Sequence, residues 1–400
     1  MHDWLQSHAE HQIAFLAELV RCPSDNPPGD CAPHAEVTAR LLQDLDFTVE
    51  RHVVPADLAA ACGMESVTNL VVRHRFGPGG RVIALNAHGD VVPPGDGWST
   101  DPYGAEIREG ALYGRGAAVS KSDIATYAFA LKALIDSGEA PAAGAVELHV
   151  TYDEEAGGLL GPAWLLEEEI SQPDLAICAG FGQSVVTGHN GAIHLEATVL
   201  GRSAHAANPA LGVDALEAAN TVLTAIYVER KRLGGVVSAL PGIGSPQITV
   251  GIIAGGINTN VVPDKVTLRL DRRLIPEEDA AVTETELRTM IETAAASIPG
   301  ASAECRTIML AAPLKPEVGQ APLVSALQAA AGGKLLPESA VPLYTDARHY
   351  QAAGVPVVLF GAGPASIAEA NAHGPDEHVR LTDLAEATEV IASALLALLR

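Results

Sequence analysis

Positive charge is scarce in this chain. Only 25 lysines and arginines face 49 aspartates and glutamates across 400 residues, a formal net charge of -24. An acidic surface of this kind repels nucleic acid and anionic membranes, so neither is expected as a partner. Cysteine is scarce too. The five present (Cys22, Cys31, Cys62, Cys178, Cys305) are scattered and form no CxxC pair. That argues against a disulfide framework or a cysteine-rich zinc site, and it fits a reducing, cytoplasmic compartment. Aromatic residues make up 4%, which leaves few groups for stacking a ring; Trp98, Tyr103 and Phe181 are the candidates near a cleft. No apolar run is long enough to span a bilayer. The opening "MHDWLQSHAEHQIAFLAELVRC" lacks a basic stretch followed by an apolar block, and reads as an amphipathic helix, not a signal peptide.

What is plentiful is apolar residue, at 48%. A chain this long exceeds what one core usually serves, so two domains are expected. "NLVVRHRF", "RVIALNAHGD", "AVELHVTYDEE" and "DLAICAG" read as strands, and "SDIATYAFALKALIDSG" and "GPAWLLEEEI" as helices. This alternation points to an α/β sheet with helices on both faces. Ligands in such sheets bind at the carboxyl ends of strands, where "NAHGD" and "TYDEE" both lie. The middle differs. "AIHLEATVLG", "SPQITVGIIAGG" and "KVTLRLDRRLI" alternate like half-exposed strands around the helical "GVDALEAANTVLTAIYVERKRL", which suggests a four-stranded α+β insert. "MLAAPLKPE" reads as the return linker, and "VPVVLFGAG" and "LAEATEVIASALLALLR" as a last core strand and a closing helix.

Four clusters carry possible chemistry. In "NAHGD", His88 and Asp90 leave the same face of an extended chain. A neutral imidazole suits zinc, and an aspartate can orient it through the other ring nitrogen. A polar strand end is the other reading. In "TYDEEAGG", Glu154 and Glu155 are neighbours whose joint burial is costly unless a cation relieves it. One carboxylate would then hold metal while the other takes a proton from water. A solvated acidic helix start explains the same pair. His205 in "GRSAHAANPALGVDA", and His373 with His378 in "NAHGPDEHV", also fit a surface loop and a polar turn.

Taken in order, these segments resemble the metallopeptidase and amidohydrolase family of glutamate carboxypeptidase, succinyl-diaminopimelate desuccinylase, acetylornithine deacetylase and aminoacylase. "NAHGDVVPPGDGWSTDPYGAEIREGALYGRGA", "VTYDEEAGG", "GHNGAIHLEATVLGRSAHAANPALGVDA", "GGINTNVVPD", "DRRLIPEED", "TDARHY", "LFGAG" and "AHGPDEHV" carry the likeness nearly end to end. The resemblance implies a discontinuous catalytic α/β domain of a mixed sheet flanked by helices, residues 1–187 and 305–400. It implies an inserted α+β lid, residues 188–304, through which two copies would pair as a homodimer. It implies His88 as ligand to one metal, Glu155 and His373 as ligands to the other, and Asp90 steadying His88. Glu154 would be the general base, His205 the oxyanion donor, and Asn260 with Arg273 the grip on a substrate carboxylate.

Two ligand positions of that pattern are altered. The aspartate bridging both metals should follow "GRGA" by two residues, where Val119 stands; the carboxylate completing the first site falls on Gly180 in "AGFGQ". A stable catalytic zinc takes about three protein ligands. Neither half-site keeps that number, but paired metals sit only about 3.5–4 Å apart. His88, Glu155 and His373 pooled would therefore hold one divalent ion (zinc, manganese or cobalt) or none. Asp123, one helical turn beyond Val119, would be displaced by about 5 Å as a bridging ligand, and reads better as a cleft group that supports the site or binds substrate. Cys178 shares strand parity with Gly180 and reads as a buried cysteine or a soft donor. Lys121 supports the loop or pairs with Asp123. The expected activity is hydrolysis of an amide-like C–N bond in a small, carboxylate-bearing molecule. A metal-free enzyme of changed reaction type (isomerase, lyase or deaminating hydrolase) and a non-catalytic binding protein are the alternatives.

Overall fold

The computed structural model describes residues 1–399. The chain forms two compact units: Met1–Thr187 with Pro316–Ser339 and Thr345–Arg400, and Gly188–Lys315 with Ala340–Tyr344.

The larger unit is built on a mixed eight-stranded sheet. Its order is Val49–Val53, Thr68–Gly77, Gly144–Thr151, Val82–His88, Leu175–Cys178, Val357–Leu359, Val185–His189 and Glu338–Val341. The four strands from Gly144–Thr151 to Val357–Leu359 run parallel to one another. Their sequences explain this place: "GAVELHVT" is buried at every position, and "VIALNAH" nearly so, as central parallel strands covered on both faces must be. His88 sits opposite Thr151, Asn86 opposite Cys178, and Cys178 opposite Leu359. This register brings the carboxyl ends of all four strands into one row. The helix Lys121–Asp136 is buried on every side from Lys121 to Leu131. It packs against the helices Ala9–Arg21 and Leu381–Leu398. Beyond its polar first turn this helix is apolar on nearly every side, as an internal helix must be, and each of its buried leucines stabilises the fold by about 1.5–3 kcal/mol.

The smaller unit is the expected α+β arrangement. An antiparallel sheet runs Gln247–Gly255, Lys265–Leu274, Gly191–Leu200, Ser302–Ala311, with helices Ala215–Leu233 and Ala280–Ala296. Alternation along Lys265–Leu274 sends Val266, Leu268 and Leu270 into a core with Leu195, Val222 and Ile291. Asp214 caps the first helix, accepting the Leu216 and Glu217 N–H groups at 2.8 and 3.2 Å. Asp279 caps the second through Val282 N–H at 3.0 Å. Each cap contributes about 1 kcal/mol.

Two local expectations need correction. Residues 305–311 do not return to the larger unit, because Ser302–Ala311 is an alternating edge strand pairing Cys305 with Ala197 and Leu310 with Ile193. The return follows that strand, so 305–315 and 340–344 go with the smaller unit. The N-terminal helix is two pieces, His2–Ser7 and Ala9–Arg21, broken at His8, whose ring stacks on Trp4 at 3.8 Å. Among the described residues no helix is long and apolar enough to cross a membrane.

Candidate active site

His88 is the last residue of its strand and is buried. Its backbone N–H donates to Ser120 Oγ at 3.0 Å, which fixes the strand end. Its ring Nδ1 lies 3.0 Å from the Asp90 backbone oxygen. A carbonyl only accepts, so Nδ1 carries a proton, and in the neutral ring that a metal requires the lone pair lies on Nε2. The fully buried Asp90 carboxylate accepts Asn26 Nδ2 at 3.0 Å and the N–H groups of Glu154 and Glu155 at 3.3 and 3.1 Å. One carboxylate thus ties the His88 strand end to the double-glutamate turn.

That turn, the 3-10 segment Glu154–Ala156, follows the strand Gly144–Thr151. Ligand atoms of His88, Glu154 and Glu155 all lie within 4.8 Å of one another. His373 is not in that set. Its Nε2 stands 3.1 Å from Glu155 Oε1, and its own backbone is left-handed with φ 62. Burial pushes the Glu154 carboxyl up to about 8; His88 opposes this, while Glu155 and Asp90 add to it. Burial favours the neutral His88 ring, but the Asp90 hydrogen bond and the two glutamates outweigh it and hold the ring well above its ordinary range. Contact with Glu155 raises His373.

These donors fit one divalent cation. They offer an imidazole nitrogen and two crowded carboxylates, with Glu155 Oε1 buried and only His373 Nε2, at 3.1 Å, beside it among the ion-pair partners described. They do not fit two, because among the described residues no further histidine, cysteine or acid joins this cluster. Val119 has no side-chain donor to offer, and its N–H is taken by Glu377 Oε1 at 3.2 Å. Gly180 brings no ligand.

The neighbouring candidates resolve into separate roles. Lys121 does not pair with Asp123. It is fully buried, donates to the carbonyls of Leu19 and Cys22 at 3.1 and 3.0 Å, and is pulled down to about 8 by burial. Asp123 does not bridge either; its Oδ1 accepts the Ala362 N–H at 2.7 Å. Cys178 is buried, and burial pushes its thiol up, away from the thiolate that would bind metal. Three participants were missed from sequence. Asn26 reaches Asp90 from a distant loop. Glu377 forms a buried pair with Arg115 at 2.6 Å while accepting the Ala118 and Val119 N–H groups. Asp346 is buried beside this cluster and pushed up to about 7 by burial and by Glu154. Glu377, beside Asp376 and four residues after His373, and Asp346 in "TDARHY" lay inside motifs of the closing block; Asn26 carried no such signal.

In the smaller unit, short strands Ala204–His205 and Val261–Val262 pair, and Ala206 N–H donates to the Asn260 oxygen at 3.0 Å. His205 and Asn260 are therefore neighbours, and both are exposed. His205 Nδ1 accepts the Ala207 N–H at 3.1 Å, which places the ring proton on Nε2 as a donor. Arg273 forks onto Asp271, with Nε at 2.9 Å from Oδ1 and Nη2 at 2.9 Å from Oδ2. His194 Nε2 lies 3.1 Å from the same carboxylate. Arg272 is the arginine that pairs with the "PEED" segment, through Glu278.

The chain has relatives of known name. It is 34% identical over 277 residues to the succinyl-diaminopimelate desuccinylase of Rhodospirillum rubrum, covering 65% of this chain and 67% of that one. With the protein of that name from Rhizorhabdus wittichii it shares 30% over 385 residues, 93% of this chain and 94% of the other. Its fold matches the crystal structure of aminopeptidase PepT from Bacillus cereus with a TM-score of 0.74 at 22% identity, covering 98% and 99% of the two chains. Residues 84–397 match the family model for peptidase family M20/M25/M40, and the chain belongs to that family of hydrolases, with a reduced, three-donor cluster at its strand ends.

Proposed function

We propose that this chain hydrolyses an amide-like C–N bond in a small, carboxylate-bearing molecule with at most one divalent ion. The observation that carries the reading is Glu154: a carboxyl raised to about 8, within 4.8 Å of two further donors. A base poised near neutral pH accepts a proton from water and returns it to a leaving nitrogen, which an ordinary carboxylate does poorly. His88 and Glu155, with His373 against Glu155, are the residues that would hold the ion, which when bound supplies a Lewis acid for the carbonyl and lowers the pKa of water. Asp90 keeps His88 in the tautomer that leaves Nε2 free. His205, with its proton on Nε2, is the proposed donor to the developing oxyanion. Asn260 and Arg273 are the proposed grip on the carboxylate.

The named relatives carry a name that describes removal of a succinyl group from diaminopimelate, so N-acylated amino acids with free carboxylates are the first class to assay. A homodimer paired through the smaller unit and a cytoplasmic setting belong to the same reading. They are supported by an exposed apolar edge strand and by cysteines that are all free. The test is Glu154→Gln on a substrate from an N-acyl amino acid panel. A loss in kcat of about 10²- to 10⁴-fold is expected, with the fold intact by circular dichroism. Full activity would remove Glu154 as the base.

A further inference from the structure

We propose that Asp123, Gly180 and Gly361 are a co-fitted plug that closes the place where the family's first metal position would be completed. Restoring the missing acids does not then restore a second ion. The inference rests on the family reading of positions 119 and 180.

Asp123 lies in the first turn of the helix Lys121–Asp136, and its carboxylate reaches the ends of two adjacent strands. It accepts the backbone N–H of Ala362 at 2.7 Å, and the Gly180 backbone also hydrogen-bonds to it. One turn along the helix, Tyr127 donates to the Phe360 oxygen at 2.7 Å. Gly363 N–H donates to the Gly180 oxygen at 3.0 Å. Both strand ends are thereby clamped to the helix and to each other.

The glycines follow from this clamp. A Cβ on Gly361 would stand 1.9 Å from Asp123 Oδ1. A Cβ on Gly180 would stand 2.7 Å from Leu359 Cβ and 3.1 Å from the Phe360 nitrogen. Neither glycine uses a left-handed backbone, so space and not conformational freedom demands it. Any acid at 180 must first place a Cβ where strand Val357–Leu359 already lies. Position 180 offers no carboxylate, and the one at position 123 spends itself on backbone N–H groups of the two strand ends.

Two measurements test this. The first is a stability cycle of Asp123→Ala, Gly361→Ala and the double variant, read by thermal melting. Gly361→Ala should lower Tm by several degrees in the native background and by less than half as much beside Asp123→Ala. Additive effects would overturn the co-fit. The second counts Zn²⁺ per chain after dialysis, by atomic emission, in Val119→Asp and in Val119→Asp/Gly180→Glu. Equal counts are expected, and one extra ion in the double variant would overturn the plug. Gly180→Ala guards against a merely unfolded double variant: a lowered Tm is expected, and an unchanged one overturns the steric argument. If the native chain takes no Zn²⁺ at all, the one-ion hydrolase reading fails, while equality of the two counts still stands as a separate result.

Discussion

His88 and His205 show how one hydrogen bond decides what an imidazole does. His88 donates its Nδ1–H to a carbonyl, so its neutral form carries the lone pair on Nε2; His205 accepts an N–H at Nδ1 and keeps a proton on Nε2. The first suits a metal ligand and the second an oxyanion donor. His205→Ala should therefore cost about 10²- to 10³-fold in kcat while changing stability by less than about 0.5 kcal/mol, since the side chain is exposed. A denaturant titration alongside the rate assay checks both halves. Glu377 behaves differently. It and Arg115 are each 1% exposed, so Glu377→Gln leaves a buried guanidinium uncompensated and should destabilise by about 3–5 kcal/mol. Asp123 carries a pH dependence. Burial pushes it up to about 7 from 3.8, so the folded chain keeps a proton that the unfolded chain releases. Asp123 therefore withdraws stability as pH rises between those two values, and nothing further above them. Asp123→Asn imitates the protonated acid. Its denaturation midpoint should exceed the native one by an amount that grows from pH 5 to pH 7.5, and a constant gap would refute the assignment. His88, Asp90, Glu154 and Glu155 were legible because the pairs lie within two residues of each other on strand ends. Asn26 and Asp123 were not, because their partners are 64 and 239 residues away.

At the scale of elements, the row of parallel strand ends does the assembly. Side-chain parity alone put His88 and Asp90 on one face, but the register of Gly144–Thr151 against Val82–His88 brings the glutamates to them. The edge strand Gln247–Gly255 presents a different case. Ile252, Ile253 and the following Ile257 are 53%, 51% and 78% exposed. A sheet edge with exposed apolar side chains is a template for another strand. If two copies pair there, Ile253→Lys should halve the mass seen by light scattering at micromolar concentration, whereas a native chain already monomeric would rule the pairing out.

At the scale of the whole molecule, a bound ion acts as a stabiliser of the folded state. Zn²⁺ at about a hundred times its dissociation constant should add about 2.7 kcal/mol, visible as a raised Tm that His88→Ala abolishes. No shift in the native protein would count against a metal at this centre. The sequence by itself determined the two-part architecture, the order of strands and helices, and the adjacent donors. These rest on periodicity and on neighbours along the chain, and apolar patterning reports them directly. It also showed that Val119 and Gly180 cannot be ligands, because that follows from residue type alone. Only the tertiary structure decided where the smaller unit ends, that ligand atoms of His88, Glu154 and Glu155 gather within 4.8 Å while His373 stands against Glu155, and that Asp123 accepts the Ala362 N–H at a strand end. Those outcomes depend on register and on contacts between residues far apart in the chain, which packing sets and local sequence does not encode.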